Sequence, residues 1–293
     1  ASGQVGGAIL SSLEEKSSLE QIKDQEVVGT YALNRPEHLD LVHLDITSSA
    51  DVDELLAVEA PAHVYLCSSY TNVDGCERDE ARSRQVNVDG VVSVVAACRR
   101  YGHKLIYFSS DYIFDGKDGP YTEKSSANPI SVYGRHKVEA ESHVQDLPES
   151  LILRTTVVYG QEWQGKNFIA RLIKTLKDGQ GMSVPDDQVG NPTYAQSLGA
   201  VSCLLAQNKH SGIFNVAGVS RVSRYQFALD AAEIFTLDGR LLKPVSTAQL
   251  GQPAARPLSG GLVMDKVLAL YPGSLPGHKE GLALLKKQLE SSN

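Results

Sequence analysis

Short apolar runs alternate with longer amphipathic ones through the first half of this chain. EVVGTYAL, AHVYLCSS, KLIYFSS and LILRTTVVYG are rich in β-branched and aromatic residues, and a further short strand ends just before Asp45 in HLDIT. Runs of this length and composition predict strands buried on both faces. Between them, SADVDELLAVE, RSRQVNVDGVVSVVAACRRYG and VYGRHKVEAESHVQD predict helices. The alternation predicts an α/β fold, a Rossmann-type doubly wound parallel sheet with right-handed crossovers. After Gly160 the pattern loosens. NFIARLIKTLKDG predicts a helix, GIFNVAG a short strand, and SRYQFALDAAEIFTLDG a helix capped by Gly239. The tail is rich in Pro and Gly, as in GQPAARPLSGG. Residues 1–158 therefore read as a dinucleotide-binding domain and 159–293 as a smaller substrate-binding lobe, with 191–217 returning to the first unit.

The opening ASGQVGG has the look of a phosphate-binding turn, with Gly3, Gly6 and Gly7 ahead of the amphipathic run AILSSLEEKSSLEQI. Such a turn normally joins a buried strand to a helix. Here the first glycine of the fingerprint and its strand would have to lie before Ala1. The expectation is a gap in the sheet where that first strand belongs.

Composition narrows the function classes. A net charge of -7 with scattered Lys and Arg speaks against a nucleic-acid partner. No apolar run approaches the roughly 20 residues needed to span a bilayer, so no membrane segment is expected. Cys67, Cys76, Cys98 and Cys203 form no CxxC pair and no metal-ligand spacing with the eight histidines. The economical reading is a reduced, metal-free, cytoplasmic protein.

Ligands of open α/β sheets bind beyond the carboxyl ends of the strands. Arg35 follows the strand EVVGTYAL with no acidic residue at the tip, which suits a ribose 2′-phosphate; otherwise it is a solvated loop arginine. Asp45 either faces an adenine or caps the helix that begins near Ser48. Cys67, Ser68, Ser69 and Tyr70 follow the next strand, where small residues allow a cofactor close to the backbone. Ser109, Ser110 and Asp111 end KLIYFSSD, and Tyr133 and Lys137 in SVYGRHKVE stand four apart on one helix face. A phenol with a pKa near 10 is a poor acid–base group at neutral pH. An ammonium one turn away is expected to lower it, while a serine hydroxyl orients a carbonyl for protonation.

The segments SSDYIFDG, PYTEK, NPISVYGRHKVEAE, LRTTVVYG, GKNFIARL, DDQVGNPTYA, GIFNVAG and ARPLSGGLVMDKV together resemble the extended short-chain dehydrogenase/reductase family, in its dTDP-4-dehydrorhamnose reductase branch. The resemblance covers nearly the whole chain. It implies an oxidoreductase of dTDP-rhamnose biosynthesis that uses NADP (NADPH preferred, NADH accepted) to reduce the 4-keto group of a nucleotide-linked 6-deoxysugar. It implies Ser110, Tyr133 and Lys137 as catalytic residues, although the reductases usually carry threonine at the first position. Gly3, Gln4, Val5 and Gly6 would meet the pyrophosphate, Asp45 and Ile46 the adenine, and Cys67 to Tyr70 the length of the cofactor. Asn87 matches the family's helix asparagine. Ser110, Asp111, Val157, Asn167 and Arg256 would contact the substrate, with Arg256 as the cation for its diphosphate. The reductases tend to have tryptophan where Val157 stands. Ser110 and an aliphatic residue at 157 also occur in the regulatory β subunit of methionine adenosyltransferase, which shares the fold and binds NADP. The expected partner is a second copy of the chain, or a methionine adenosyltransferase catalytic subunit if the regulatory reading holds.

Overall fold

The computed structural model describes residues 3–18, 26–37, 39–162 and 164–291. The first half runs α1 (Gln4–Ser18), β1 (Thr30–Tyr31), β2 (Val42–His43), α2 (Ser49–Glu59), β3 (His63–Leu66), α3 (Val73–Arg78), α4 (Glu80–Arg84), α5 (Gly90–Tyr101), β4 (Lys104–Ser110), α6 (Val132–Gln145) and β5 (Leu151–Thr155). The second half adds β6 (Val158–Tyr159), α7 (Phe168–Lys177), β7 (Met182–Pro185), β8 (Val189–Gly190), β9 (Thr193–Tyr194), α8 (Ala195–Gln207), β10 (Gly212–Asn215), β11 (Val222–Ser223), α9 (Arg224–Ile234), β12 (Leu242–Val245), α10 (Thr247–Leu250), α11 (Asp265–Leu270) and α12 (His278–Ser291). The end of the predicted opening helix, residues 19–22, lies outside the described residues.

Strand order β10-β5-β4-β3 makes a parallel sheet with the chain's apolar runs at its centre. Because side chains alternate along a strand, each run supplies both faces. Leu105 and Tyr107 of β4 pack with Val52, Val91 and Ala140 from α2, α5 and α6. Ile106 and Phe108 pack on the opposite side with Ile9, Leu198 and Val267 from α1, α8 and α11. Each side chain of this size contributes about 1.5–3 kcal/mol when fully buried. The contact between α1 and α8 is close: a Cβ on Gly199 would lie 2.8 Å from the Ala8 backbone. A second core gathers Ile169, Leu172, Phe227, Ala231 and Leu282 from α7, α9 and α12.

Two findings depart from the hydrophobic pattern. EVVGTYAL contributes only Thr30–Tyr31 to a ladder, in a separate two-stranded parallel sheet with β2. Between that sheet and β3 lies a cavity of about 460 Å³ lined by Ile9, Leu13, Val28, Val64 and Leu66 among others. In addition, α9 stops well before Gly239. Thr236 takes the left-handed conformation (φ 57°) and the Leu237 amide bonds back to the Ala232 carbonyl, closing the helix with no glycine.

Candidate active site

The carboxyl end of β4 and the first turn of α6 bring three predicted residues together. Ser131 caps α6 by accepting from the Gly134 amide, and Glu77 accepts from the Val132 amide at 2.7 Å. A Cβ on Gly134 would lie 2.2 Å from the Tyr112 carbonyl oxygen, so only glycine lets the helix sit this close to the turn after β4. Tyr133 is thereby buried, its ring edge-on to Tyr112 at 5.7 Å between centroids. The Ser110 hydroxyl accepts from the Tyr112 amide and donates to Asp111, both at 3.3 Å, and it is close enough to the Tyr133 phenol to favour its ionised form.

Lys137 sits one turn on. Its Nζ donates to the Tyr107 hydroxyl at 3.1 Å and to the Phe108 carbonyl at 3.0 Å, and it stands 5.7 Å from the Tyr133 ring centre. Burial pushes its pKa down to about 8, against the opposing pull of Glu141. The expected lowering of the Tyr133 pKa is not what the fold produces. Burial raises it, and the nearby Ser110 hydroxyl offsets only part of that rise. The physical reason is that the two ammonium bonds just described go to β4 and not to the phenol. At neutral pH Tyr133 is therefore a phenol with a proton to give.

On the cofactor side, α1 opens at Gln4, and the first amides of a helix have no partner within it. Gly3 stands just ahead of Gln4, with open space where a Cβ would be. Val5 and Gly6 lie in the first turn, and the Gln4 amide group reaches the backbone of Val158 and Gly160. Cys67, Ser68, Ser69 and Tyr70 form the loop after β3. Asn87 holds that loop: its Oδ1 accepts from Ser69 Oγ and the Tyr70 amide, both at 2.8 Å, and its Nδ2 donates to the Tyr70 carbonyl at 3.0 Å. Asn87 is buried in a π-turn, Gln85–Asp89, that interrupts the predicted long helix, so it acts by shaping the loop. Ile46 turns its side chain into the core against Gly90. Asp45 does not cap α2; Ser48 does, and Asp45 accepts from the amide and hydroxyl of Thr47 at 3.0 and 2.8 Å. Those bonds hold its carboxyl below the usual range. Arg35 is 54% exposed and lies 3.8 Å from Asp40, a carboxylate the strand pattern did not place there.

A pocket next to Ser110 is lined by Asp111, Tyr112, Thr156, Val157, Arg224 and Pro257, among others. Burial pushes Asp111 up to about 6, against hydrogen bonds to Thr156 and Ser110. Val157 has a left-handed backbone (φ 45°), unusual for a β-branched residue. Thr193 holds it there, its amide on the Val157 carbonyl at 3.1 Å and its hydroxyl on the Thr156 carbonyl at 2.7 Å. Two predicted substrate residues are committed elsewhere. Asn167 caps α7, accepting from the Ala170 amide at 2.9 Å and donating to the Gly160 carbonyl at 3.0 Å. The Arg256 side chain is 7% exposed, paired with Asp74 at 2.9 Å and bonded to the Ala254 carbonyl at 2.8 Å. The cation that lines the pocket is Arg224, stacked over Phe168 at 4.8 Å. Sequence reasoning missed it because an arginine at the first position of a helix carries no motif.

Comparison with known proteins places this geometry among relatives. The family model described as RmlD substrate binding domain matches residues 1–291. A dTDP-4-dehydrorhamnose reductase from Mycobacterium tuberculosis is 36% identical over 220 residues, covering 72% of this chain and 71% of the relative. One from Sinorhizobium fredii is 32% identical over 250 residues, covering 81% and 84%. The solved structure of a Bacillus anthracis dTDP-4-dehydrorhamnose reductase in complex with NADP superposes with a TM-score of 0.79 at 30% identity, over 87% of this chain and 92% of that one. The solved structure of a dTDP-4-dehydrorhamnose reductase from Clostridium acetobutylicum superposes at 0.82 and 28% identity, over 98% and 96%. With nearly its full length matched by sequence and by fold, the chain belongs to the RmlD substrate-binding domain family.

Proposed function

We propose that this chain is an NADPH-dependent reductase of the 4-keto group of a nucleotide-linked 6-deoxysugar, with dTDP as the nucleotide. The observation that carries the reading is the convergence of Ser110, Tyr133 and Lys137 at the carboxyl end of β4 in a member of this family. The site fits the dinucleotide. The α1 amides suit a pyrophosphate, the loop after β3 is shaped by Asn87, and Lys137 has a third N–H beyond the two it uses on β4. When bound, NADPH supplies a hydride to the carbonyl carbon. Ser110 orients the carbonyl oxygen and Tyr133 gives it a proton, so ketone, hydride and proton become the alcohol. The Lys137 ammonium offsets the charge left on the phenolate. Arg224, not Arg256, is the cation for the substrate's diphosphate, and Val157 walls the pocket against the sugar.

Arg35 is the group for a 2′-phosphate and favours NADPH over NADH. The protein is expected in the cytoplasm; among the described residues no helix is long and apolar enough to cross a membrane. A homodimer is the expected assembly.

The test is substrate-dependent loss of NADPH absorbance with a dTDP-4-keto-6-deoxyhexose. Tyr133→Phe should reduce the rate by about 10²–10⁴-fold and leave NADPH affinity nearly unchanged. No turnover on several 4-keto sugars, together with altered kinetics of a methionine adenosyltransferase on mixing, would replace this reading with the regulatory one.

A further inference from the structure

Lys137 reaches the site as a charged group inside the protein, and something must hold it there. Its side chain is 2% exposed. The carboxylate one turn along α6, Glu141, is committed elsewhere: Arg154 occupies both of its oxygens, at 3.0 and 2.7 Å. The other titratable groups near the ammonium are Cys67 from the loop after β3, Cys76 from α3, and the Tyr107 and Tyr133 phenols. Burial raises the pKa of both thiols and both phenols, so all four stay neutral. Of these only Tyr107 accepts a hydrogen bond from Nζ, at 3.1 Å, from a fully buried ring on the central strand β4.

We infer that Tyr107 is a positioning residue for the reduction: its hydroxyl holds the Lys137 ammonium in place and in its charged form beside the Tyr133 ring. The inference rests on reading Tyr133 and Lys137 as the catalytic pair. A neutral acceptor favours the charged form of a donor ammonium, so removing it lowers the lysine pKa further. Tyr107→Phe removes the oxygen and keeps the ring that fills the core.

The measurement is a pH titration of Lys137 in the full chain by NMR of ¹³C-labelled lysine, with the signal assigned from the Lys137→Met spectrum. In Tyr107→Phe the midpoint should fall from about 8 by about one pH unit, the scale of a single hydrogen bond to a charged group. The rate of 4-keto reduction should then be close to wild type at pH 6, with a deficit growing to about tenfold above pH 8 as the lysine loses its charge. A merely structural role would give a loss that does not vary with pH and an unmoved midpoint, and either result overturns the inference. Should Tyr107→Phe fail to fold, 3-fluorotyrosine at 107, a weaker acceptor, should shift the midpoint downward by less; no shift would overturn the inference equally. If the wild-type protein reduces no 4-keto sugar, the reductase reading falls while the midpoint still decides the role of Tyr107.

Discussion

Burial is the main force on the charged and acidic side chains of the site. It keeps the proton on Tyr133, takes much of the proton affinity from Lys137, and returns a proton to Asp111 at mildly acidic pH. Asp111 has a folded pKa of about 6 against 3.8 for the free side chain. The folded state therefore binds a proton that the unfolded state releases between these values. Its stabilising contribution is complete below about pH 4 and lost as the pH rises through 6. Asp111→Asn should remove about 2–3 kcal/mol of pH-dependent stability from that window, measured by denaturant unfolding at pH 4 and pH 7. The two arginines near the pocket should separate cleanly. Arg224→Ala should raise KM for the nucleotide sugar about tenfold or more, as for a lost charge-assisted contact. Arg256→Ala should instead lower stability by about 1–3 kcal/mol, because it leaves the Asp74 carboxylate without its cation. A larger KM effect at Arg256 than at Arg224 would reverse this assignment.

Elements with a continuous apolar signature were legible from sequence, and those defined by tertiary contact were not. The run KLIYFSS is β4 to the residue, since every position from Leu105 to Ser109 is buried. The spacing of Tyr133 and Lys137 also survives, because a helix fixes it. By contrast, the π-turn at Asn87 leaves no trace in the periodicity, and α9 ends at Ile234, closed by the left-handed Thr236, where the sequence shows glycine later. The ion pair that commits Arg256 joins residues far apart in the chain, beyond the reach of any local pattern. The buried pair Arg154–Glu141, at 2.7 Å, is of the same kind and ties β5 to α6 directly beneath the site. Arg154→Met should destabilise by about 3–5 kcal/mol, because it strands Glu141 in the core. Adding Glu141→Leu should recover most of the loss in urea unfolding; a double variant no better than the single would show that the pair is not the cause.

At the scale of the molecule, fold class and family were legible because the alternation of strand and helix spans the first half and the resemblance nearly the whole chain. The unequal size of the β1–β2 sheet and the four-stranded sheet has a consequence for cooperativity. The two-stranded sheet has two residues in each strand, whereas the four-stranded sheet carries the central core. Local opening free energies follow such differences in packing. Native-state hydrogen exchange should therefore release the Val42 and Leu44 amides, which bond to the β1 segment, well before the amides of β4 and β5. Equal protection at both places would show a single cooperative unit.

The left-handed turn at Val157 bears on how such a protein can change over generations. In the proposed reading the proton-transfer groups are carried by β4 and α6, while Val157 is carried by the segment that Thr193 pins and lines the pocket beside Asp111. Shape selection and acid–base chemistry are thus inherited on separate stretches of chain. On that reading, substitutions at 157 are expected to exchange one deoxysugar for another while the Ser110–Tyr133–Lys137 set passes on unaltered, which would make this position a place for diversification without loss of catalysis.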